Sequence, residues 1–443
     1  MNQEKRGIWG WAMYDWANSA FATTVMAGFF PIFFKNYWSK GTDVNVSTAQ
    51  LGFANSLASL FVAIMAPIVG AIADKGSYKK KLLIFFAYVG VLMTAALFLV
   101  QEGDWVMAVV VYAIGIVGFS GANTFYDSLL PTVASKEKID YVSGLGFGMG
   151  YLGGGLLFLL NVLMTLNPDW FGLANAGEAV RWSFLSVAVW WGGFTLFTIA
   201  WVKEPKPEEA LSLGQCIKTG VQQYVTTFRK IRHLQTVFLF LGAYWFYIDG
   251  VDTIIRMAID YGMSIGFNSN DLIVALLITQ FVGFPAAIYY SKLGNRFGVR
   301  RMIFVGIFVY LLVTIWGILM KEKIEFYILA IVIGLVQGGV QALSRSYYSR
   351  LIPKDQAGEF YGFFNMLGKF AVIIGPVLIG TVGLIVKGTL LPLATTEEQF
   401  HAITQIASRW GIGAVSLLFI LGAILFYFVN EEKGRSELEA LQA

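Results

Sequence analysis

Apolar residues in this chain fall into long runs separated by short polar breaks, at about 9–34, 49–73, 82–100, 105–130, 141–165, 181–202, 234–262, 270–292, 302–320, 324–351, 363–386 and 406–429. About 20 apolar residues cross the hydrocarbon core of a bilayer as a helix. The pattern therefore predicts an all-α membrane protein with twelve transmembrane helices, and an even number puts both termini on one side. Basic residues crowd the N-terminus, the even-to-odd loops and the C-terminus, among them Lys5, Arg6, Lys79–Lys81, Lys136, Lys138, Lys203, Arg229, Arg232, Arg300, Arg301 and Arg435. The opposite loops hold Lys35, Lys40, Lys321 and Lys323. That bias places both termini in the cytoplasm, and in the plasma (inner) membrane if the source is bacterial.

The runs repeat. Asp74-Lys75 after the second span and Asn295-Arg296 after the eighth lie 221 positions apart, and Pro131 and Pro353, after the fourth and tenth, lie 222 apart. The prolines close similar stretches, Tyr126-Asp127-Ser128-Leu129-Leu130-Pro131 and Tyr348-Ser349-Arg350-Leu351-Ile352-Pro353. The sixth and twelfth spans both open on Arg-Trp, at Arg181-Trp182 and Arg409-Trp410. Four landmarks at nearly one offset predict two like-oriented six-helix bundles, 1–202 and 234–443, joined by a polar cytoplasmic linker, 203–233. Transporters built this way bind their solute near the midplane between the repeats.

Composition narrows the function classes. Of 443 residues 57% are hydrophobic and only 14% charged, and mean hydropathy is +0.64. A soluble domain would carry about a quarter charged residues. The net charge of +4 gives no reason to expect a nucleic-acid partner. Cys216 is the only cysteine, and His233 and His401 are the only histidines, so neither a disulfide frame nor a metal or haem site is expected, and no cofactor is. No cleavable signal peptide is visible, and the first helix is expected to serve as its own insertion signal.

Gly70-Ala71-Ile72-Ala73-Asp74-Lys75-Gly76-Ser77-Tyr78-Lys79-Lys80 resembles the loop signature between helices 2 and 3 of the major facilitator superfamily. Ser291-Lys292-Leu293-Gly294-Asn295-Arg296-Phe297-Gly298-Val299-Arg300-Arg301 resembles its second-half copy, with Asn295 where the acid would stand. Pro353-Lys354-Asp355-Gln356-Ala357-Gly358-Glu359 is similar to the superfamily's loop after helix 10. In the first span, Tyr14-Asp15-Trp16-Ala17-Asn18-Ser19-Ala20-Phe21 resembles the opening signature of the vacuole-effluxer branch, a subfamily first associated with release of amino acids from vacuoles; Asp249-Gly250 adds to that likeness. The resemblance implies the major facilitator fold, a cytoplasmic gate at Asp74, Lys75, Asn295, Arg296 and Glu359, and a central cavity lined by helices 1, 4, 7 and 10. Asp127, near the cytoplasmic end of the fourth helix, is expected to gate or cap.

Six charges lie well inside spans: Asp15, Asp249, Asp252, Arg256, Arg345 and Lys369. At roughly 2.5–3.5 kcal/mol each, they would cost on the order of 15–20 kcal/mol facing lipid, so they must pair or face a wet cavity. Asp249, Asp252, Arg256 and Asp260 follow at i, i+3, i+7 and i+11, one narrow stripe of the seventh helix. Gln337, Gln341 and Arg345 form another on the tenth. Asp15 and Asn18 share a face of the first helix, Asn123 lies on the fourth, and Asn365 sits one turn before Lys369 on the eleventh. These groups are the candidate solute contacts: carboxylates for an ammonium, Arg256, Arg345 or Lys369 for a carboxylate. A cavity of both signs suits a zwitterion, and internal salt bridges are the plainer alternative. Two nearby carboxylates also resist joint ionisation, which makes Asp249, Asp252 or Asp15 a candidate proton carrier; the same oxygens could hold sodium.

Other features read as packing. Gly144, Gly146, Gly148, Gly150, Gly153, Gly154 and Gly155 on the fifth span point to close helix approach. Pro67, Pro285 and Pro376 are expected to bend their helices. The drug–proton antiporters of the superfamily carry a Gly-Pro pair in the fifth helix, whereas here Gly375-Pro376 is in the eleventh. Enzyme chemistry would need a nucleophile–base pair or metal cluster, and the two histidines suit neither. The expectation is a monomeric secondary transporter of a small zwitterionic solute, an amino acid foremost, coupled to protons. The alternative is an exporter of cationic or amphipathic compounds.

Overall fold

The computed structural model describes residues 3–40, 60–62, 64–66, 69–70, 72–74, 77–204, 234–390, 392 and 396–442. Every regular element among the described residues is helical. Helix α1 (Gln3–Ala20) continues through a π-helical stretch (Phe21–Phe29), the short α2 (Phe30–Phe33) and a second π-helical stretch (Phe34–Trp38). Then follow α3 (Lys79–Ala96), α4 (Trp105–Val133), α5 (Ile139–Leu166), α6 (Ala176–Trp201), α7 (Gln235–Ser264), α8 (Ser269–Phe297) and α9 (Val299–Leu319). The chain ends with α10 (Lys323–Leu351), α11 (Ala357–Leu390), α12 (Glu397–Ala414), α13 (Ser416–Tyr427) and α14 (Glu431–Gln442).

Nine helices among the described residues are long and apolar enough to cross a bilayer. Their outer faces carry large apolar side chains such as Leu92, Val189, Leu196, Leu312 and Leu421, exposed as membrane-embedded surfaces are. Most of the second span and nearly all of the linker, with Lys75, Pro67, Cys216, Arg229 and Arg232, lie outside the described residues, and so does the side chain of Lys369.

The chain divides into two compact units, Met1–Lys230 with Ile352–Lys369, and Ile231–Leu351 with Phe370–Ala443. In the first, α1 packs on α5 and α6, and α3 packs on α4 and α6. In the second, α7 packs on α13, α9 packs on α10, α12 and α13, and α8 packs on α10. First with sixth, third with fourth, and third with sixth spans thus pair in both units.

The Arg-Trp landmarks have a physical explanation. A helix C-terminus leaves carbonyls without donors. Arg181 Nε and Nη2 donate to Phe98 O, at the end of α3, at 3.0 and 2.8 Å. Arg409 Nη1 donates to Ile318 O at 2.9 Å and also to Met320 O, at the end of α9. The same residue does the same work twice.

The glycines of α5 also resolve into packing. A Cβ at Gly146 would lie 2.5 Å from the Tyr126 hydroxyl and 2.9 Å from Asp15 Oδ2; at Gly150 it would meet Ser19 Oγ at 2.6 Å, and at Gly153 the Trp16 carbonyl at 2.5 Å. These positions press α5 onto the face of α1 that carries Asp15 and Ser19.

Candidate functional site

In the first unit the polar face of α1 meets α4. Trp11 stacks on Tyr126 with ring centroids 4.2 Å apart and donates from Nε1 to the Tyr126 carbonyl at 2.8 Å. That fixes the Tyr126 ring, and its hydroxyl donates to Asp15 Oδ2 at 2.8 Å. One turn on, Asn18 Nδ2 donates to Asn123 Oδ1. Asn18 is buried, while Asp15 and Asn123 are half-buried. Three of the sequence-derived solute candidates are thus gathered on one helix pair, with Tyr126 as a member that hydropathy alone does not single out.

Next to Tyr126 on α4, Asp127 is buried, and its Oδ2 accepts from Asn365 Nδ2 of α11 at 3.1 Å; Asn365 also donates to Tyr361 O at 3.0 Å. Asp127 ties a side chain, and neither of these bonds caps a helix end.

The loop acid behaves as a helix cap. Asp74 Oδ1 accepts from Gly358 N at 2.9 Å and Oδ2 from Glu359 N at 2.8 Å, in the first turn of α11. A helix N-terminus offers unsatisfied amides and a positive dipole end, and a carboxylate answers both. Two glycines make room: a Cβ on Gly70 would stand 2.3 Å from Gly358 O, and one on Gly358 would stand 2.9 Å from Asp74 Oδ1. Lys79 Nζ closes the group at 2.7 Å from Asp74 Oδ1. Burial pushes the Asp74 carboxyl above its usual range against the pull of Lys79 and the two amides. The side chain of Glu359 is fully buried.

Beside it α3 and α6 cap each other. Glu204 accepts from the Lys79 and Lys80 amides at 3.0 Å each, while Lys80 Nζ donates to Ile199 O and Val202 O at 2.6 and 2.7 Å. Burial raises Glu204 as well, the two amides and Lys79 oppose the rise, and the Asp74 charge adds to it. Glu204 escaped sequence reasoning because an acid at a span end is ordinary; only the fold brings it to the start of α3.

The second unit holds the other candidates in unlike surroundings. Asp249 is fully buried; its Oδ1 accepts from Thr253 Oγ1 at 3.1 Å and Gly375 N at 3.0 Å. Asp252 is half-buried and Arg256 exposed. The stripe predicted on the seventh helix therefore does not share one environment, because residues seven apart are separated by about 10 Å along a helix. Gln337 and Arg345 are buried on α10, and Gln341 is half-buried. Tyr247 and Ser344 join α7 to α10 with a 2.7 Å hydrogen bond between hydroxyls. Asn295 and Arg296 are exposed, and Arg296 lies over the Phe297 ring.

A family model described as "Vacuole effluxer Atg22 like" matches residues 3–389. An uncharacterised MFS-type transporter of Bacillus subtilis, YxiO, is 37% identical over 427 residues, covering 95% of this chain and 94% of the relative. Autophagy-related protein 22 of Kluyveromyces lactis is 22% identical over 500 residues, covering 99% of this chain and 96% of the relative. Among solved structures, the human organic anion transporter MFSD10 superposes with a TM-score of 0.69 at 14% identity, over 96% of this chain and 100% of that one. The proton:xylose symporter XylE gives 0.66 at 13% identity, over 99% of this chain and 98% of that one. The fold is that of the major facilitators, and the chain, an integral multi-pass membrane protein, belongs to the Atg22-like vacuole effluxer family of MFS-type transporters.

Proposed function

We propose that this chain is a secondary active transporter of a small polar or zwitterionic solute, an amino acid foremost, working by alternating access and driven by protons. It acts as a monomer with both termini in the cytoplasm, its bundles at 1–202 and 234–443 joined by the linker 203–233. One observation carries the reading: an ionisable carboxylate within the first span, Asp15, is half-buried and takes a hydrogen bond from Tyr126, beside the Asn18–Asn123 pair. A carboxylate inside a span is costly and is kept where a solute or ion needs it. Asp15 would take the ammonium group, and Asn18 and Asn123 would be its polar neighbours. Asp74 and its partners would act as the gate.

The test is uptake by the purified protein in liposomes, challenged with labelled amino acids with and without a pH gradient. Uptake of at least one amino acid, accelerated by the gradient, is expected. Asp15→Asn should lower kcat/KM about tenfold or more, the loss of one charge-assisted contact. Transport of organic cations with no amino acid moved would overturn the proposal in favour of the exporter.

A further inference from the structure

One carboxylate in the second unit is only half satisfied. Asp249 is shielded from solvent completely; its Oδ1 takes two hydrogen bonds, from Thr253 one turn on and from the Gly375 amide of α11, the Ile374 amide lies beside the carboxyl, and Oδ2 has no hydrogen-bond partner among the described residues. The contact with α11 depends on Gly375, where a Cβ would fall 1.8 Å from Thr253 Oγ1. The next residue is Pro376, inside α11. Proline has no N–H for the carbonyl four residues back, so the helical ladder is one bond short there and the helix bends most easily at that point. The carboxylate thus grips α11 beside its weakest link.

The ionisable neighbours can be named. On α7 itself, Asp252 and Arg256 follow at one and two turns. Helix α13, packed on α7, places Phe419 against Gly250 and has no Asp, Glu, Lys, Arg or His in its sequence. On α12, Arg409 is committed to the carbonyls of Ile318 and Met320. On α14, Glu437 accepts from the Thr236 amide at the start of α7. Helix α8 carries Asp271 in its first turn, bonded to Tyr327, and α10 carries the buried Arg345. Lys369 precedes Gly375 on α11 by six positions. A metal cation is a poor occupant: hard cations gather about six oxygens or more, and the described residues contain no cluster of three or more His, Cys, Asp or Glu side chains able to hold a metal ion.

We propose that Asp249 is the proton-binding group of this chain, and that it works as a latch on the proline hinge of α11. When ionised, it holds the Gly375 amide and the Thr253 hydroxyl through charge-assisted hydrogen bonds, which are roughly twice as strong as neutral ones. A hydronium ion gives a proton to Oδ2 and leaves as water, one O–H bond breaking as another forms; the two bonds to Oδ1 become neutral ones, and α11 is freed to bend at Pro376. Loss of that proton to water restores the grip. The role in a transport cycle rests on the function proposed above; the latch itself can be tested without any solute.

Hydrogen exchange of the full chain in lipid nanodiscs, compared at equal pH between wild type and Asp249→Asn, reads the latch directly. Asparagine keeps the Oδ1 acceptor and removes the charge. The amides of Gly375 and of residues 377–380 should exchange about tenfold faster in the variant in mildly alkaline buffer. Mild acid should bring the wild type close to the variant and leave the variant unchanged after correction for intrinsic exchange. Equal protection in the two proteins, or an acid response that persists in the variant, overturns the proposal. Should the variant fail to fold, Thr253→Val replaces it: loss of one of the two donors should loosen the same amides in alkaline buffer, and unchanged protection there also overturns the latch. Failure of the wild type to move any labelled amino acid in liposomes would count against the transport reading and leave the exchange result standing.

Discussion

The loops after the second and eighth spans match in the placing of their polar and basic residues and differ in what they hold. In the first, the Asp74 and Lys79 side chains are 6% and 10% exposed, and Asp74 takes two amides of α11. In the second, Asn295 and Arg296 are exposed. A different duty has survived in both: Lys80 ties the loop to the carbonyls ending α6, and Arg300, one register position earlier in the copy, donates to Tyr427 O at the end of α13. Duplication has preserved the contact between third and sixth spans, which each bundle needs in order to close on itself. Among the described residues, the capture of a helix start is seen only in the copy that keeps the acid. The first loop ties both the start of α11 and the end of α6; the second ties the end of α13.

The sharpest way to break this comparison is to disturb the packing beneath the first loop's bundle. Gly153→Leu should produce the largest effect, since even a Cβ would meet the Trp16 carbonyl at 2.5 Å. Overpacking of a rigid contact costs about 1–3 kcal/mol and more when backbone must move. Loss of folded protein in detergent, scored by size-exclusion profile and melting temperature, is the expected result. Gly193→Leu on α6 is the control, because nothing lies within 4 Å of its added Cβ. Equal tolerance of both would show that α1 and α5 are not pressed together as described.

Next in size is the pair Asp74→Ala and Asn295→Ala. The first strips an acceptor from two amides and from Lys79, all with little solvent to replace it, which should cost about 2–3 kcal/mol. The second removes an exposed side chain and should stay within about 0.5 kcal/mol. Melting temperatures of the two variants against wild type check both numbers. A loss on Asn295→Ala as large as that on Asp74→Ala would mean that the copies are functionally equivalent after all.

Much of this was legible in the sequence, for reasons that differ by residue. Apolar run length exposes spans because the bilayer sets it, and the glycines of α5 announce close packing because no other residue lets two backbones approach so far. The repeated Arg-Trp is visible as a pattern, yet its meaning, a guanidinium on the carbonyls of the third span of each unit, needs the fold. Asp74 was readable through its loop signature. Tyr126 on Asp15, Glu204 on α3 and Gly375 on Asp249 were not: each joins residues about 110 to 130 positions apart, and helical periodicity fixes only which residues share a face, never which face meets which. The stripe of Asp249, Asp252 and Arg256 shows the limit from the other side, since one face of α7 passes from full burial to exposure within two turns.

The smallest expected effect separates the two loops by pH. Asp74 has a buried side chain and Glu204 is half-buried, and both are held above the ordinary carboxylate range, Glu204 with the Asp74 charge contributing. A carboxyl raised in the folded state contributes stability that is complete below its unfolded value and is lost as pH rises through its folded value. The corner built by Asp74, Lys79 and Glu204 should therefore weaken as pH climbs from the acid range toward neutrality. The exposed loop at Asn295 has no carboxyl at the matching position. Asp74→Asn removes one of the two titrating groups and also the charge that raises the other, so the variant should show a shallower fall of melting temperature with pH. A difference of a few °C across the series is the expected size, given that about 1 kcal/mol corresponds to roughly 2–4 °C in a domain of this length. Asn295→Asp, which places a carboxylate in the copy, should leave the slope as it is in the wild type, because an exposed acid titrates alike folded and unfolded. A slope that steepened in this variant would show that the second loop can bury an acid as the first does, and that a single substitution divides them.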